Sequence, residues 1–447
     1  MAARSLGLTP LLNRTSQSFT ARARAAIPAQ YANYVTASTV VYAAKSKKGA
    51  VTKAKGQSNS FRKKKAAEDD QGEGAIGGAN RLNEKYYMPP TPVKVEEFLP
   101  SLATKENVGQ ILGFPSTVIP ALSQTAYPTL LNEQFNLIKP AALAIREPTV
   151  SLLEKVDNAM KTPSAETRIV LTGNTGSGKS ALLLQTVSHC LSAGWVVIYV
   201  PRASTWMDSS SAYSKVPGSA MFVQPSLAST LAGQIINTNR SVLTNLVTSA
   251  DVRVGRHDVA KGAPLLEFLE IGVKDPFAAQ DVMEVFLNEI GAQKEIPTLL
   301  AVDEINNFFR PTQYLSHEGK EIDPDQLKLP NLFLNYISGK KSLNHGAVLT
   351  ATSDHMLEKK SEVLEAALGL KQASPYKQFP QNLASWTQGL TKFEVPNYTR
   401  QEAKSIFDYY KKGNVLFDVP SEKLFLSKFI ASDGNPRKFF TACAKGV

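Results

Sequence analysis

Eight consecutive residues near the middle of the chain have the composition and spacing of a phosphate-binding loop. Residues 173–180 read Gly-Asn-Thr-Gly-Ser-Gly-Lys-Ser and fit the pattern G-x-x-x-x-G-K-S at every required position. Glycines let the backbone adopt conformations closed to other residues, so that its N–H groups can converge on an anion. The predicted phosphate contacts are Gly173, Asn174, Thr175, Gly176, Ser177, Gly178, Lys179, Ser180 and Ala181.

Two predicted elements position this loop. Residues 168–172 indicate a short buried strand before it, and residues 181–191 indicate a helix after it. The helix N-terminus would add partial positive charge beside the phosphates. Lys179 can then reach the terminal phosphates, and the Ser180 hydroxyl can bind Mg²⁺. The alternative is a Gly/Ser-rich turn that spells the motif by chance, and the flanking elements disfavour it.

A second motif follows an apolar run at residues 297–302, which predicts another buried strand and ends at Asp303 and Glu304. Ligands of open α/β sheets bind at this carboxyl edge of the strands. Asp303 is therefore the predicted Mg²⁺ ligand, directly or through water. Glu304 has two possible roles. It can orient or deprotonate an attacking water, or it can cap a helix without taking part in catalysis.

Two further polar groups are predicted to contact the nucleotide. Residues 346–351 indicate a buried strand that ends at Thr352, where a hydroxyl can sense the terminal phosphate. Residues 434–437 read Gly-Asn-Pro-Arg and predict a helix start, because Pro436 suits the first turn of a helix. Arg437 would project from that first turn.

The remaining pattern predicts an α/β fold with a mainly parallel sheet between helices. Strands are expected at 195–200 and 391–395, and helices at 151–160, 227–237, 276–291 and 400–411. Residues 131–146 are compatible with a helix interrupted at Pro140. Residues 203–217 are predicted to form a loop held to the core by Trp206, Met207 and Tyr213 rather than a base-stacking site. Residues 308–330 are predicted to be a loop without metal-ligand spacing.

The net positive charge of the chain comes from its N-terminal tail. Residues 1–67 contain 13 Lys and Arg and no acid, which leaves 37 basic and 39 acidic side chains in the rest, a net charge of −2. Strong non-specific phosphate binding is therefore expected from the tail and not from the body. Two widely separated cysteines argue against a disulfide framework or a zinc site. No apolar run is long enough to span a bilayer.

The tail has two parts. Residues 1–37 contain four arginines among Ser, Thr, Ala and Leu, which is typical of a mitochondrial presequence, with an untargeted disordered terminus as the alternative. Residues 45–65 are lysine-rich, which fits a nuclear signal, an RNA-binding arm or a solvated linker, and we expect them to be disordered unless they meet phosphate. The predicted organisation is a presequence (1–37), a basic arm and linker (38–85), an irregular and helical lead-in (86–149), a P-loop nucleotide-binding domain (150–396) and a C-terminal helical lid (397–447).

The order of these motifs resembles that of the AAA+ and related signal-transduction (STAND) ATPases. Within that class, the chain resembles the death-associated-protein family of mitochondrial small-ribosomal-subunit proteins, of fungal type, from about Gly113 to the C-terminus. The resemblance depends on five segments: 144–148, 173–180, 299–304, 350–353 and 434–437.

The resemblance implies a structural constituent of the head of the mitochondrial small subunit, located in the matrix. It would bind GTP/GDP or ATP with Mg²⁺, contact small-subunit rRNA and ribosomal proteins, and help to bridge to the large subunit. The sequence contains no Asn-Lys-x-Asp guanine-recognition motif, so guanine and adenine both stay open. The alternative function is a matrix AAA+ or signal-transduction NTPase that hydrolyses ATP or GTP to remodel a partner.

Overall fold

The computed structural model describes residues 90–124, 127–353, 361–372, 379 and 381–445 of the 447-residue chain. The predicted presequence (1–37) and the predicted basic arm and linker (38–85) lie outside the described residues. In chain order the strands are β1 (Glu96–Glu97), β2 (Ile111–Gly113), β3 (Ala142–Ala144), β4 (Arg168–Thr172), β5 (Val196–Val200), β6 (Ser214–Lys215), β7 (Phe222–Val223), β8 (Val252–Val254), β9 (His257–Val259), β10 (Thr298–Val302), β11 (Gly346–Ala351) and β12 (Thr391–Glu394).

Helices flank the strands throughout the described part of the chain, and none of them is both long and apolar enough to cross a membrane. They are α1 (Ile119–Gln124), α2 (Thr129–Leu137), α3 (Glu147–Asn158), α4 (Lys179–Ser192), α5 (Pro225–Leu243), α6 (Leu265–Lys274), α7 (Pro276–Ala292), α8 (Lys328–Ile337), α9 (Glu362–Ala367), α10 (Gln381–Trp386), α11 (Arg400–Lys412), α12 (Glu422–Ser432) and α13 (Pro436–Ala444).

The central sheet is parallel and has the order β12-β4-β11-β10-β5. All residues of β5, β10 and β11 are buried, as expected for parallel strands covered by helices on both faces. The register pairs Val302 with Thr350 and Thr350 with Val170. The carboxyl ends of β4, β10 and β11 therefore meet at one edge, where the three predicted motifs begin.

Each face of the sheet has its own hydrophobic core. One core includes Leu183 and Val187 of α4 and Trp195. The other includes residues of α5, α6, α7 and α8, such as Phe286 and Phe333. The predicted anchoring of the 203–217 loop is confirmed, since the buried Trp206 ring lies 5.8 Å from the Phe308 ring and 5.0 Å from the Phe333 ring.

The C-terminal helices share a core with the lead-in segment. Ala142 and Ala144 of β3 pack in one cluster with Phe407 and Tyr410 of α11 and Phe439 of α13. β3 pairs antiparallel with β2, which pairs parallel with β1. The lead-in and the C-terminal helices are thus parts of one hydrophobic cluster.

Most predicted elements are confirmed to within a few residues, and two predictions are wrong. The predicted helix at 131–146 ends at Leu137, and β3 follows Pro140, because pairing with β2 and burial between helices outweigh local helical spacing. The predicted loop at 308–330 contains a 3-10 turn at Pro324–Gln326 and the start of α8. α6 was not predicted.

Candidate nucleotide-binding site

The loop between β4 and α4 has a backbone that requires glycine at two positions. Gly173 has φ +143°, and a Cβ there would lie 2.5 Å from the carbonyl oxygen of Val395. Gly176 has φ +80°, and a Cβ there would lie 2.7 Å from Cβ of Arg437 and 2.8 Å from Oδ1 of Asn435. The loop is therefore packed tightly against the residues that precede α11 and begin α13.

Every carbonyl group of the loop from residue 173 to residue 178 accepts a hydrogen bond from the protein. Lys179 Nζ donates to Gly173 (2.8 Å) and Asn174 (3.1 Å), Asn435 Nδ2 to Thr175 (2.9 Å), the Arg437 N–H to Gly176 (3.2 Å), Arg146 to Ser177 (3.1 Å) and the Leu182 N–H to Gly178 (2.9 Å). Three of these donors lie outside the loop and its helix. The contacts fix the orientation of six successive peptide groups before any ligand binds.

The first turn of α4 carries N–H groups and an ammonium group that could bind an anion. Leu182 makes the first hydrogen bond of the helix ladder, so α4 itself offers no acceptor to the N–H groups of Lys179, Ser180 and Ala181. The Lys179 side chain is buried with its ammonium group against the loop. A helix N-terminus with a lysine at its first position has the chemistry that binds phosphate.

Ser180 and Asp303 lie together, as their motifs predicted. The Ser180 hydroxyl hydrogen-bonds the Asp303 carboxylate, which is only 2% exposed. Burial raises the pKa of Asp303 to about 7, with a further upward contribution from Glu304, and the Ser180 hydrogen bond opposes the rise. A buried carboxylate beside a hydroxyl is an oxygen donor set that suits Mg²⁺, and a bound cation would offset the cost of burying the charge. The residues present therefore fit the magnesium site.

Glu304 follows directly at the same edge and has a left-handed backbone conformation (φ +60°, ψ +38°). Its side chain does not cap the 3-10 helix Ile305–Phe309 that it precedes. Instead, Oε2 accepts hydrogen bonds from the hydroxyl and from the backbone N–H of Ser204 (3.3 Å to N). The carboxylate thus joins the turn after β10 to the turn after β5.

Thr352 and Arg437 both lie at the loop, and each contacts its surroundings in a different way. The Thr352 hydroxyl donates to the carbonyl oxygen of Leu171 (3.1 Å), two residues before the loop. Arg437 contacts the loop through its backbone, and its side chain is exposed. The structure thus brings every predicted site residue to one edge of the sheet.

Sequence reasoning missed two residues that hold the loop. Asn435 is the N-cap of α13, since its Oδ1 accepts from the Lys438 N–H (3.2 Å) while its Nδ2 donates to Thr175. Its place in the Gly-Asn-Pro-Arg motif was the available signal. Arg146 is 7% exposed and bonds to Ser177. It was part of the segment 144–148 that supported the resemblance, but no spacing rule indicated its contact.

Comparison with known proteins identifies a family model and several curated relatives that match this chain. A family model described as "Mitochondrial ribosomal death-associated protein 3" matches residues 143–442. Curated relatives named "Small ribosomal subunit protein mS29" include those of Schizosaccharomyces pombe (26% identity, 82% of this chain and 76% of the relative), Neurospora crassa (24%, 74% and 73%) and Mus musculus (25%, 73% and 82%). Among solved structures, the Aeropyrum pernix ORC2 protein (ADP form) matches with a TM-score of 0.33 and 13% identity, over 66% of this chain and 61% of that chain.

Proposed function

The chain belongs to the family of mitochondrial ribosomal death-associated protein 3, and from this we propose that it is a structural constituent of the small subunit of the mitochondrial ribosome. The family model spans 300 of the 447 residues. Three relatives that are 24–26% identical to this chain over the aligned residues are named as small-subunit proteins. The protein accordingly works in the mitochondrial matrix.

The finer proposal is that the subunit contains a purine nucleotide, GTP/GDP or ATP, bound with Mg²⁺ at the loop between β4 and α4. The observation that supports it best is the engagement of six successive loop carbonyls, three of them by donors from distant parts of the chain. Hydrogen bonds that fix the conformation of a glycine loop are expected where its backbone N–H groups must hold an anion.

Each residue at the edge has a role in this proposal. Lys179 would neutralise the terminal phosphates, while Ser180 and Asp303 would hold a magnesium ion. Thr352 and Arg437 would lie beside the phosphates. Mg²⁺ would supply charge neutralisation at the phosphate oxygens. The ring of contacts from Arg146, Asn435 and Arg437 keeps the loop in shape.

We propose that the nucleotide is a structural ligand that stabilises the fold and is not hydrolysed as part of the function. Glu304, the candidate base, accepts two hydrogen bonds from Ser204 at Oε2, so this oxygen already serves to join two turns of the fold. The alternative is a matrix AAA+ or signal-transduction NTPase that remodels a partner. Its support is the placement of an Asp-Glu pair at the phosphate edge of the sheet. A structural ligand stabilises the fold by mass action without turnover.

The proposed partners are small-subunit rRNA, neighbouring small-subunit proteins and, through a bridge, the large subunit. The near-neutral body and the nine Lys and Arg of residues 45–65, beyond the predicted presequence, favour the basic arm as the RNA-contacting part. Such contacts weaken steeply with rising salt, whereas protein–protein contacts with a buried apolar core weaken less.

Sedimentation of mitochondrial lysates tests the ribosomal role. We expect the protein to cofractionate with the small subunit in high salt, and a free pool unaffected by ribosome dissociation would support the remodelling NTPase. Titration of purified full-length protein with fluorescent GTP and ATP analogues in Mg²⁺ tests the nucleotide. Absence of binding to both would contradict the nucleotide proposal and leave the ribosomal one standing.

A further inference from the structure

Three successive carbonyl groups of the loop are held by residues that lie far from it in sequence. Thr175 accepts from Asn435, Gly176 from the N–H of Arg437, and Ser177 from Arg146. Two of these donors begin α13, and the third precedes α3. The loop is therefore connected on both sides to the C-terminal helices and the lead-in.

Arg146 is the centre of the connection. Its guanidinium group donates to Ser177 of the loop and to the carbonyl oxygens of Pro396 (2.7 Å) and Asn397 (3.1 Å), in the segment that joins β12 to α11. It lies 4.8 Å from the centre of the Tyr398 ring. A planar guanidinium can satisfy several acceptors at fixed angles, which a lysine ammonium on a flexible chain does not reproduce.

The same arginine is paired with a residue in the first turn of α11. Its Nε lies 3.4 Å from Oε1 of Glu402, which is buried. The other carboxylate oxygen of Glu402 accepts from the Thr399 N–H (2.9 Å), and the Thr399 hydroxyl accepts from the Glu402 N–H (3.2 Å). This is a capping box, so a single carboxylate fixes the helix start and faces Arg146.

The segment 395–399, which joins β12 to α11, continues the connection to α13. The Tyr398 N–H donates to the Gly434 carbonyl (2.8 Å), and Asn397 Nδ2 donates to the Asp433 carbonyl (2.9 Å). Asn435 then reaches back to Thr175. The contacts form a closed ring that runs from the loop through Arg146, the segment 395–399 and the start of α13 to the loop again.

We infer that Arg146 is a positioning residue that couples occupancy of the phosphate-binding loop to the docking of α11 and α13. The inference rests on the proposed nucleotide binding and adds a regulatory consequence to it. A ligand that stabilises the loop also stabilises the C-terminal helices, because opening α11 removes the acceptors that hold Arg146 on Ser177. α11 and α13 pack on β2 and β3, so the coupling extends to the lead-in.

Hydrogen exchange on the full chain tests the coupling, with MgGTP and MgATP as probes. At a nucleotide concentration 100 times Kd, amides whose exchange requires ligand release gain about 100-fold protection. In the wild type we expect such a gain in both α4 and α11. Arg146→Lys loses one of the contacts that hold the loop, so it is measured at 100 times its own Kd. There we expect α4 to keep its gain and α11 to gain less than about 5-fold, because the ring of contacts is broken while the loop is saturated with nucleotide.

Arg168 provides a matched control. Its guanidinium also donates to several backbone carbonyls, those of Ala165 (3.0 Å), Ile337 (3.4 Å), Ser338 and Gln388 (2.9 Å), but it lies at the amino end of β4, away from the loop. Arg168→Lys should therefore lower stability and leave the gain in α11 unchanged. Glu402→Gln, which preserves a capping-box side chain, should reduce the gain in α11 if Arg146→Lys is too unstable to study.

The outcomes separate the two proposals. If the wild type binds neither nucleotide, the proposed nucleotide function fails, and the coupling fails with it. If the wild type binds and α4 is protected but α11 is not, the coupling alone is wrong. Equal gains in α11 for the wild type, Arg146→Lys and Glu402→Gln would also overturn the coupling. Breaking the ring of contacts would then not change how much bound nucleotide stabilises α11.

Discussion

Oε2 of Glu304 accepts hydrogen bonds from both the hydroxyl and the backbone N–H of Ser204. Ser204 lies in the 3-10 helix Ala203–Trp206, which is anchored by the packing of Trp206 on Phe308 in the 3-10 helix after Glu304. The two turns therefore support one another, and the carboxylate is held between them. The two hydrogen bonds therefore give Oε2 of Glu304 a structural contact within the protein.

Glu304→Gln distinguishes the two proposed functions. The variant keeps the shape and can still accept from Ser204, but it removes the base. If the nucleotide is structural, we expect small-subunit assembly and mitochondrial translation to stay nearly normal. If hydrolysis is part of the function, turnover should fall by about 10²- to 10⁴-fold with binding preserved. Loss of translation with the subunit still assembled would show that hydrolysis is needed.

Lys179→Ala should abolish nucleotide binding, because the site loses the cation that contacts the terminal phosphates. Without the ligand, the protein should also lose the stabilisation that saturating nucleotide provides, about 3 kcal/mol at 100 times Kd. Fluorescent-nucleotide titration and thermal unfolding with and without MgGTP or MgATP measure both effects. Retained affinity in the purified variant would contradict the assignment of the loop.

Gly176→Ala should disrupt the site by a different route. The new Cβ would meet Arg437 and Asn435 at less than 3 Å in a left-handed backbone conformation. We expect a loss of about 3 kcal/mol of unfolding free energy together with loss of nucleotide binding. Gly194→Ala is the control, because Gly194 has a similar φ of +78° but no atom within 4 Å of the added Cβ. It should cost about 1 kcal/mol and leave binding unchanged. Equal effects of both variants would remove the packing argument.

The sequence predicted the placement of the candidate site residues well because that placement is encoded in short segments. The glycine loop, the strand that ends at Asp303 and the N-cap region before Arg437 each follow from neighbouring residues. The meeting of Ser180 with Asp303 also followed, since parallel strands present their carboxyl ends at one edge. These predictions needed only local periodicity and one rule of sheet geometry.

The contacts that hold the loop could not be predicted in this way. Arg146 reaches Pro396, which lies 250 residues away, and Asn435 reaches Thr175, which lies 260 residues away. Neither pairing has a spacing signal. The segment of β3 was predicted as helix from its local spacing. Its pairing with β2, about 30 residues earlier, gives no local signal in the sequence. Contacts between residues that lie far apart in sequence could therefore not be predicted, whereas the motifs could.

Deletion of residues 1–37 tests the presequence prediction. We expect the truncated protein to stay in the cytosol with its fold intact, because the predicted strands, helices and phosphate-binding motifs all follow this segment in sequence. Import into isolated mitochondria, followed by protease protection, measures the effect. A presequence from another mitochondrial protein should restore import, which serves as the control. Efficient import of the truncated chain itself would contradict the prediction.

The pH dependence of stability tests the environment of Asp303. Its pKa is raised from 3.8 to about 7, mainly by burial. The folded state therefore binds this proton more tightly than the unfolded state does, so its contribution to stability is largest below about pH 4 and is lost as pH rises through 7.

Asp303→Asn has no proton to lose and can still accept the Ser180 hydrogen bond. In nucleotide-free protein with EDTA, we expect the variant to gain on the order of 2 kcal/mol over the wild type between pH 5 and pH 8. With MgGTP or MgATP the order should reverse, because the wild-type carboxylate then binds the cation and the variant does not. Parallel pH profiles for both proteins would show that the Asp303 carboxyl is not the buried acid that the magnesium site requires.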